Sequence, residues 1–264
     1  MLVHFSKYHG TGNDFVMIDG RELDTSLLDT KVIRRLCDRR FGIGGDGLII
    51  LEESKQFDFT MRYFNADGRE GTMCGNGGRC ITAFAKGLGI CGTLTTFEGI
   101  DGTHEASILS NGEIRLKLAD VSGIDQMADG YLLNTGSLHF VHFVENLERI
   151  QVEREGARIR HQERFGKEGV NVNFAEQGPA SHEITVRTYE RGVEGETWSC
   201  GTGVAAAAIT ACFHSGSDKS SYQVLTRGGE LNVSFKSQEN QQFTEIYLSG
   251  PASHVYDGTI DIVV

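Results

Sequence analysis

The chain repeats one short cysteine motif. The first copy is Cys74-Gly75-Asn76-Gly77 and the second is Cys200-Gly201-Thr202-Gly203, and an alanine-containing segment of helical composition follows each copy. The residues before each cysteine also match, because Phe59–Asn65 aligns with Ile184–Glu190 at an offset of about 125 residues. This offset, in a chain of 264 residues, predicts two versions of one folded unit.

Weaker matches extend the repeat towards the start of each half. Thr11–Asn13 aligns with Thr135–Ser137, and Asp46 aligns with Asn171, at nearly the same offset. A chain of 264 residues is long enough for two domains that each bury a core. We therefore predict an N-terminal half at 1–121, which carries the first cysteine motif, and a C-terminal half at 122–252, which carries the second.

The order of the predicted elements indicates a mainly β chain with a few helices. One helix follows Asp29 or Thr30, either of which can cap it, and a second covers Gly77 to Leu88. A third follows Cys200, and its segment Val204–Ile209 has no polar face, which predicts a helix surrounded by sheet. Strands are predicted near 3–8, 15–18, 48–53, 57–64, 92–97, 103–109, 113–118, 138–144, 171–175, 183–189, 222–226, 230–235 and 243–248.

Charge and composition exclude several classes of function. The net charge is −11 and the lysines and arginines form no cluster, which argues against binding to nucleic acid or to an anionic membrane. No signal peptide or membrane span is apparent, so we expect a cytoplasmic protein. The six cysteines form no CxxC pair and are expected to be reduced there. The sequence shows no convincing metal or nucleotide site.

The position of the two motif cysteines predicts reactivity. A cysteine directly before Gly-x-Gly at a helix start lies where unpaired backbone N–H groups and the positive end of the helix dipole meet. That environment lowers the pKa of a thiol from its usual value of about 8.5 towards about 7. The same N–H groups could instead hold a substrate carboxylate, with the glycines allowing close approach.

Two such cysteines from matching halves are suited to inverting a stereocentre. We expect Cys74 and Cys200 to face one another across an approximate twofold axis, so that a thiolate removes a proton from one face of a carbon while a thiol delivers one to the other. Matched groups also serve both directions of the reaction. The alternative is that duplication copied two unreactive buried cysteines.

Several ordered motifs then resemble the diaminopimelate epimerase family, the pyridoxal-independent amino-acid epimerases of lysine and cell-wall synthesis. The resemblance spans essentially the whole chain. The motifs are His9-Gly10-Thr11-Gly12-Asn13-Asp14-Phe15, Phe64-Asn65-Ala66-Asp67-Gly68, Cys74-Gly75-Asn76-Gly77-Gly78-Arg79, Gly169-Val170-Asn171, Tyr189-Glu190-Arg191-Gly192 and Glu196-Thr197-Trp198-Ser199-Cys200-Gly201-Thr202-Gly203.

The resemblance implies an α+β fold of two pseudo-symmetric domains, each a mainly antiparallel sheet or barrel wrapped around a central helix. The final segment, 253–264, would return to the first domain. The implied reaction is the conversion of LL-2,6-diaminopimelate to meso-diaminopimelate without a cofactor or metal. The implied partner is the small amino-acid substrate alone, and a homodimer is compatible with the sequence.

The resemblance also assigns site residues. Cys74 and Cys200 would be the catalytic bases, with His139 and Glu190 assisting them. Substrate binding would use the side chains of Asn13, Asn65, Asn171, Glu190 and Arg191 and the backbone N–H groups of Gly75, Asn76, Gly201 and Thr202. Asparagine offers both a donor and an acceptor, and arginine grips a carboxylate through two hydrogen bonds, which suits the distal amino-acid group of diaminopimelate.

Other interpretations remain open at this point. His139 could be a strand histidine on an apolar face, and Glu190 could merely pair with Arg191. The chain departs from some members of the family, which have Gln where it has Gly47 and Asn-Pro where it has Ser137-Leu138. The chain could racemise another amino acid by the same chemistry, or could be a non-catalytic anion-binding or thiol-redox protein.

Overall fold

The computed structural model describes residues 2–71 and 74–262. The chain divides into two compact units, Met1–Leu116 with Gly250–Val264 and Lys117–Ser249. Each unit combines a mixed sheet with α-helices, as the α+β prediction requires. Thr72 and Met73, which directly precede the first motif cysteine, lie outside the described residues.

The first unit contains eight strands and two α-helices among its described residues. In chain order the elements are β1 Leu2–Gly10, β2 Asn13–Asp19, α1 Thr30–Cys37, β3 Gly47–Glu52, β4 Phe59–Asn65, α2 Gly75–Gly87, β5 Leu94–Gly99, β6 Gly102–Ile108, β7 Ile114–Lys117 and β17 Ser253–Asp261. The strands pair in the order β17-β1-β2-β3-β4-β5-β6-β7, and the pairs β2–β3 and β4–β5 are parallel while the others are antiparallel.

The second unit has the same kind of sheet. The elements are β8 Asp125–Met127, β9 Gly130–Asn134, β10 Leu138–Phe143, α3 Val152–Arg160, β11 Asn171–Gln177, β12 Glu183–Glu190, β13 Gly195–Thr197, α4 Gly201–Ser215, β14 Ser221–Thr226, β15 Gly229–Ser237 and β16 Phe243–Gly250. The strands pair in the order β8-β9-β10-β11-β12-β14-β15-β16, with β10–β11 and β12–β14 parallel, and β13 pairs with the end of β12 that β14 leaves free.

The two units repeat one sequence of strand pairings. From β1 to β7, and from β9 to β16 without β13, the pairs run antiparallel, parallel, antiparallel, parallel, antiparallel and antiparallel. In each unit one helix, α1 or α3, lies in the connection between the strands of the first parallel pair. Another helix, α2 or α4, begins directly after a motif cysteine and lies in the connection between the strands of the second parallel pair. The internal repeat seen in the sequence is therefore a repeat of the fold.

A buried helix fills the centre of the second unit. Every residue from Gly203 to Cys212 in α4 is buried, and the run Val204–Ile209 packs with strand residues in one hydrophobic cluster. Its alanines are small enough for strands to approach the helix on all sides. The predicted central helix is confirmed here. The corresponding α2 buries most of its residues too, including the polar Asn76, Arg79 and Thr82.

The first predicted helix is also confirmed, together with its cap. Helix α1 begins after Asp29, whose carboxylate accepts hydrogen bonds from the backbone N–H groups of Lys31 and Val32. This arrangement satisfies two of the donors that an α-helix leaves unpaired at its start.

Helix α3 was not predicted from the sequence. It begins with Glu153 and Glu155 in the first turn, ends with Arg158 and Arg160, and buries Val152, Gly156 and Ile159. Acidic residues at the start, basic residues at the end and buried positions at i, i+4 and i+7 are helix signals. The internal repeat is a second signal, because α3 occupies the place of α1 in the second unit.

The last strand belongs to the first unit. β17 pairs with β1 along its length, with Val3 opposite Ile260 and Ser6 opposite Asp257. The domain boundaries predicted from the sequence, 1–121 with 253–264 and 122–252, stay a prediction about which residues form each copy. Among residues 2–71 and 74–262, none of the helices has the length and hydrophobicity of a membrane-spanning segment.

The packing of α3 makes a prediction about stability. A Cβ atom added at Gly156 would lie 2.3 Å from the Cβ atom of Tyr189, a residue of β12. We expect Gly156→Ala to lower the free energy of unfolding by about 1–3 kcal/mol, because overpacking outweighs the better helix propensity of alanine. Chemical denaturation measures this. Gly123→Ala, where nothing lies within 4 Å of the added atom, is the control; an equal effect of both changes would contradict the packing argument.

Candidate active site

Both motif cysteines lie at the N-cap of a buried helix. Cys74 precedes α2 with an extended backbone, φ −106° and ψ 124°, and Cys200 precedes α4 with φ −118° and ψ 107°. Neither cysteine side chain makes a capping hydrogen bond to its helix, so the sulfur atoms do not occupy the N–H groups of the first turn. The structure therefore gives each thiol the environment that the sequence predicted, next to the positive end of a helix.

Helix α4 can begin so close to the sheet because of a glycine. A Cβ atom at Gly203 would lie 2.3 Å from Oδ1 of Asn173. The glycine thus lets the first turn approach the polar side chains of β10 and β11, which lie parallel with His139 opposite Asn171. The Gly-x-Gly motif serves packing at this position.

In the first unit, Asn13 lies beside the thiol. Its Oδ1 atom is 3.6 Å from Cys74 Sγ and accepts a hydrogen bond of 3.2 Å from Nδ2 of Asn76. Three of the residues predicted for the site, Asn13, Cys74 and Asn76, are thus in contact. Gly75 and Asn76 are the first two residues of α2, as their predicted use of backbone N–H groups requires.

Arg79 is a fully buried cation one turn further along α2. Its guanidinium donates to Asn76 Oδ1 at 3.0 Å, to Thr11 Oγ1 at 3.2 Å, to the Pro251 carbonyl at 3.3 Å and to the Gly75 carbonyl at 3.5 Å. Burial lowers the pKa of Arg79, and the nearby Cys80 and Cys74 thiols oppose this when ionised. A buried guanidinium held by neutral oxygens stabilises an anion at the helix start.

Asn65 is exposed at the end of β4, and its side chain is oriented by a tyrosine. The hydroxyl of Tyr63 donates to Asn65 Oδ1 at 2.9 Å. The departure at Gly47 has its explanation here, because a Cβ atom at that position would lie 2.6 Å from the Tyr63 ring and 2.6 Å from the Phe64 carbonyl. In this chain the tyrosine ring fills the space of a larger side chain at 47.

In the second unit, His139 is completely buried at the centre of a hydrogen-bond network. Its Nδ1 atom is 3.1 Å from Nδ2 of Asn173, which also donates to the Phe140 carbonyl at 3.3 Å. Since the amide nitrogen must face that carbonyl, Nδ1 accepts and the proton of the neutral ring lies on Nε2. Nε2 is 3.0 Å from the hydroxyl oxygens of both Ser137 and Thr202.

His139 is connected to Cys200 through a hydroxyl group. Oγ1 of Thr202 lies 3.0 Å from His139 Nε2 and 3.6 Å from Cys200 Sγ. Burial lowers the pKa of His139 to about 3, and the positive charge of Arg191 acts in the same direction. The histidine is therefore neutral at neutral pH and orients Thr202; it does not supply a positive charge.

Asn171 holds the loop that leads to His139. Its Nδ2 donates to Ser137 Oγ at 3.0 Å and to the Leu138 carbonyl at 3.2 Å, while its Oδ1 accepts from the Arg191 N–H at 2.8 Å. These bonds explain how the loop keeps its shape with Ser137-Leu138. The Leu138 side chain packs against the cluster around Phe140 and Phe174.

Glu190 is the last residue of β12, and Arg191 begins the following turn. Both are partly buried. Within residues 2–71 and 74–262 the Arg191 guanidinium makes no hydrogen bond or ion pair, although its backbone is fixed by Asn171. A half-buried guanidinium of this kind is available for a carboxylate ligand.

Sequence reasoning missed the residues that orient the site. Asn173 sets the tautomer of His139, Ser137 contacts both His139 and Asn171, and Asp46 accepts a hydrogen bond of 2.7 Å from Asn13 Nδ2. Asp46 and Ser137 were visible in the sequence as members of the repeat, but nothing there gave their contacts. Within the described ranges, no three His, Cys, Asp or Glu side chains gather in a way that could hold a metal ion.

Known proteins resemble this chain over nearly its whole length. The model of the diaminopimelate epimerase family matches residues 5–121 and 131–255. The chain belongs to this family. It is 48% identical over 254 residues to the diaminopimelate epimerase of Flavobacterium psychrophilum, which covers 96% of this chain and 98% of that protein. It is 44% identical over 262 residues to that of Chlorobaculum tepidum, covering 96% and 99%.

Solved structures share the fold. A phenazine biosynthesis protein of the PhzF family from Bacillus anthracis superposes with a TM-score of 0.80 at 14% identity, covering 99% of this chain and 100% of that one. A hydroxyproline epimerase from Agrobacterium vitis, with bound trans-4-hydroxy-L-proline, gives 0.72 at 13% identity, covering 98% and 92%. At such identities the likeness concerns the fold alone, and it confirms the predicted diaminopimelate epimerase-like architecture.

The buried neutral histidine predicts a pH dependence of stability. Because the pKa of His139, about 3 in the folded protein, is below that of an exposed histidine, the unfolded chain takes up the proton first. The contribution of the neutral His139 to the free energy of unfolding is therefore complete above about pH 6.5 and is lost as the pH falls towards 3. We expect His139→Gln to lose less stability between about pH 6.5 and pH 4 than the unchanged protein does in denaturation experiments. The control is His4→Gln, at an exposed strand position; an unchanged slope for His139→Gln would contradict the assignment.

Proposed function

We propose that the chain interconverts LL-2,6-diaminopimelate and meso-diaminopimelate, without pyridoxal phosphate or another cofactor, using Cys74 and Cys200 as a pair of acid and base groups. Membership of the diaminopimelate epimerase family supports the substrate and the reaction. The observation that carries the mechanism is that both units place a cysteine thiol at the same point of the repeated fold, directly before a buried helix.

In the proposed reaction one thiolate removes the α-proton and the other thiol delivers a proton to the opposite face. Proton removal leaves a carbanion at the α-carbon, and the protons balance because the base becomes a thiol as the acid becomes a thiolate. The first-turn N–H groups of Gly75, Asn76, Gly201 and Thr202 are placed to stabilise anions, including the substrate carboxylate. The next turnover in the same direction requires the two thiols to exchange their protonation states.

His139 and Thr202 would stabilise the thiolate of Cys200. With Nε2–H donating to Thr202 Oγ1, the hydroxyl hydrogen of Thr202 is directed towards the sulfur. A hydroxyl that donates to a thiolate favours the charged form. His139 is thus proposed to assist catalysis by orientation, and Glu190, at the end of β12, to act as a further assisting and substrate-binding group.

Recognition of the distal amino-acid group is proposed to use Asn65 and Arg191. Asn65 is exposed, and Arg191 offers an unpaired guanidinium within the described part of the chain, which suits a carboxylate. Asn171 keeps its predicted place in the site, but its amide is committed to Ser137, Leu138 and Arg191. It would bind substrate chiefly by holding those groups in position.

The proposal includes a reducing compartment and self-association. A cytoplasmic location would keep both thiols reduced, which the mechanism requires.

A homodimer is the one protein assembly that we propose. Strand β17, which pairs with β1 and exposes Val255 and Tyr256, offers a surface for a second copy. We expect no nucleic-acid or membrane partner, in view of the net charge of −11.

Single cysteine replacements test this proposal. We expect Cys74→Ala and Cys200→Ala each to reduce the conversion of LL- to meso-diaminopimelate by about a thousandfold or more, since each removes one of two required proton-transfer groups. Separation of the stereoisomers by chiral chromatography measures the rate under reducing conditions. Cys91→Ala and Cys212→Ala are matched controls that should keep the rate. Full activity of either motif variant would refute the two-base mechanism, and no conversion by the unchanged protein would refute the substrate.

A further inference from the structure

Asp46 is one end of a row of hydrogen-bonded side chains, Asp46, Asn13, Asn76 and Arg79, which passes beside Cys74. It lies just before β3, and its Oδ2 atom accepts from Asn13 Nδ2 at 2.7 Å and from the Asp14 N–H at 3.3 Å. Its Oδ1 atom accepts from Arg39 Nη2 at 2.7 Å. Both carboxylate oxygens are therefore occupied by donors, which fixes the carboxylate beside Asn13.

The line is terminated by an ion at each end. Arg79 donates to Asn76 Oδ1, Asn76 Nδ2 donates to Asn13 Oδ1, and Asn13 Nδ2 donates to Asp46. A guanidinium can only donate and a carboxylate can only accept, so the charged ends determine the orientation of both amides. Reversing either asparagine would place two donors or two acceptors against each other.

The orientation decides which atom of Asn13 the thiol meets. Oδ1 of Asn13, and not Nδ2, lies 3.6 Å from Cys74 Sγ. An oxygen can accept the S–H hydrogen but cannot donate to a thiolate, so this contact favours the protonated sulfur. The buried charge of Arg79 and the start of α2 favour the thiolate, and they act equally in every variant considered below.

The matching positions in the second unit carry a different set of groups. The repeat aligns Asn13 with Ser137 and Asp46 with Asn171. Ser137 and Asn171 are also in contact, because Asn171 Nδ2 donates to Ser137 Oγ at 3.0 Å. Among residues 2–71 and 74–262, the hydrogen-bond partners of Ser137 and Asn171 include no carboxylate. Cys200 Sγ lies 3.6 Å from the Thr202 hydroxyl oxygen. The two thiols of a pseudo-symmetric protein are thus given unlike neighbours, an acceptor at one and a hydroxyl capable of donating at the other.

We propose that Asp46 is a positioning residue that fixes the Asn13 amide with its oxygen towards Cys74, so that this thiol holds its proton in the resting protein. The proposal rests on the proposed function in taking Cys74 as one of the two acid and base groups. The same orientation fixes which substrate group Asn13 can bind, because its oxygen can accept a hydrogen bond from an ammonium group but cannot donate one to a carboxylate.

The ion cluster around Asp46 supplies a matched control. Arg39 also binds Asp14, at 2.6 Å, and Lys7 binds Asp14 at 2.7 Å. Although burial acts to raise the pKa of Asp14, the hydrogen bonds from Arg39 and Lys7 prevail and lower it to about 2. Asp14 thus shares the cluster with Asp46, but within the described residues its side chain makes no hydrogen bond to the Asn13 side chain.

The first measurement compares kcat/KM for three variants. Asp46→Ala should lower it about tenfold, the usual effect of losing a hydrogen bond to a charged group, whereas Asp14→Ala should lower it much less. Asp46→Asn keeps one oxygen for Asn13 if Arg39, which is exposed, moves into solvent, and it should recover most of the loss. A general loss of the loop structure would instead lower the activity of Asp46→Ala and Asp14→Ala alike.

The second measurement does not depend on turnover. In a Cys200→Ala background, alkylation of Cys74 by iodoacetamide at about pH 7, followed by mass spectrometry of its peptide, reports how much thiolate is present. Asp46→Ala frees the Asn13 amide to rotate, so it should raise the alkylation rate about threefold or more while activity falls. Asp14→Ala should leave the rate unchanged.

The outcomes separate this proposal from the assignment of function. An unchanged or lower alkylation rate in Asp46→Ala, or an equal rise in Asp14→Ala, would overturn the positioning role whatever the substrate is. Should Asp46→Ala fail to fold, selective ¹⁵N-asparagine labelling of the unchanged protein tests the same contact, with Asn13→Ser used for assignment. The side-chain amide protons of Asn13 should then differ in chemical shift between the unchanged protein and Asp46→Asn, which replaces the carboxylate by a neutral amide; no difference would overturn the proposal.

Discussion

The arrangement depends on helices that begin inside the protein. Helices α2 and α4 are buried almost throughout, so the N–H groups of their first turns are shielded from bulk water. The side chain of the preceding cysteine does not cap these N–H groups either. Each unit thereby carries a concentrated positive potential next to one thiol. The sheet that surrounds each helix, with its repeated order of parallel and antiparallel pairs, is what keeps that potential in place.

The duplication has left the two units alike in fold and unlike in side chains. Around Cys74 the orienting groups include a fully buried guanidinium, that of Arg79, and the carboxylate of Asp46, which is held by Arg39. Beside Cys200 lies the hydroxyl of Thr202, which is 3.0 Å from the ring of His139, and burial keeps that ring uncharged. A reaction between two diastereomers needs only near symmetry, so the backbone can be shared while each thiol is adjusted separately.

Much of this could be read from the sequence, because a repeat constrains both fold and function. The repeated Cys-Gly-x-Gly motif predicted the two units, the buried central helix and the position of both thiols. The same repeat, together with the acidic start and basic end of its sequence, could also have predicted α3 from α1. The hydrogen bonds of Asp46, Ser137 and Asn173 could not be predicted, because they depend on side-chain orientations set by neighbours that are distant in the sequence. Asn171, expected to bind substrate directly, shows the same limit, since its amide is occupied by the loop before His139.

In the proposed mechanism, two different groups act on the two faces of the α-carbon. The most direct measurement is the isotopic composition of both stereoisomers during the first few per cent of reaction in deuterium oxide, started from LL-diaminopimelate and followed by NMR and mass spectrometry. We expect deuterium at the α-carbon of the meso product while the remaining LL substrate keeps its hydrogen. Early meso product that carries the substrate's own hydrogen, or equal labelling of both isomers, would contradict this mechanism, because one group would then be serving both faces.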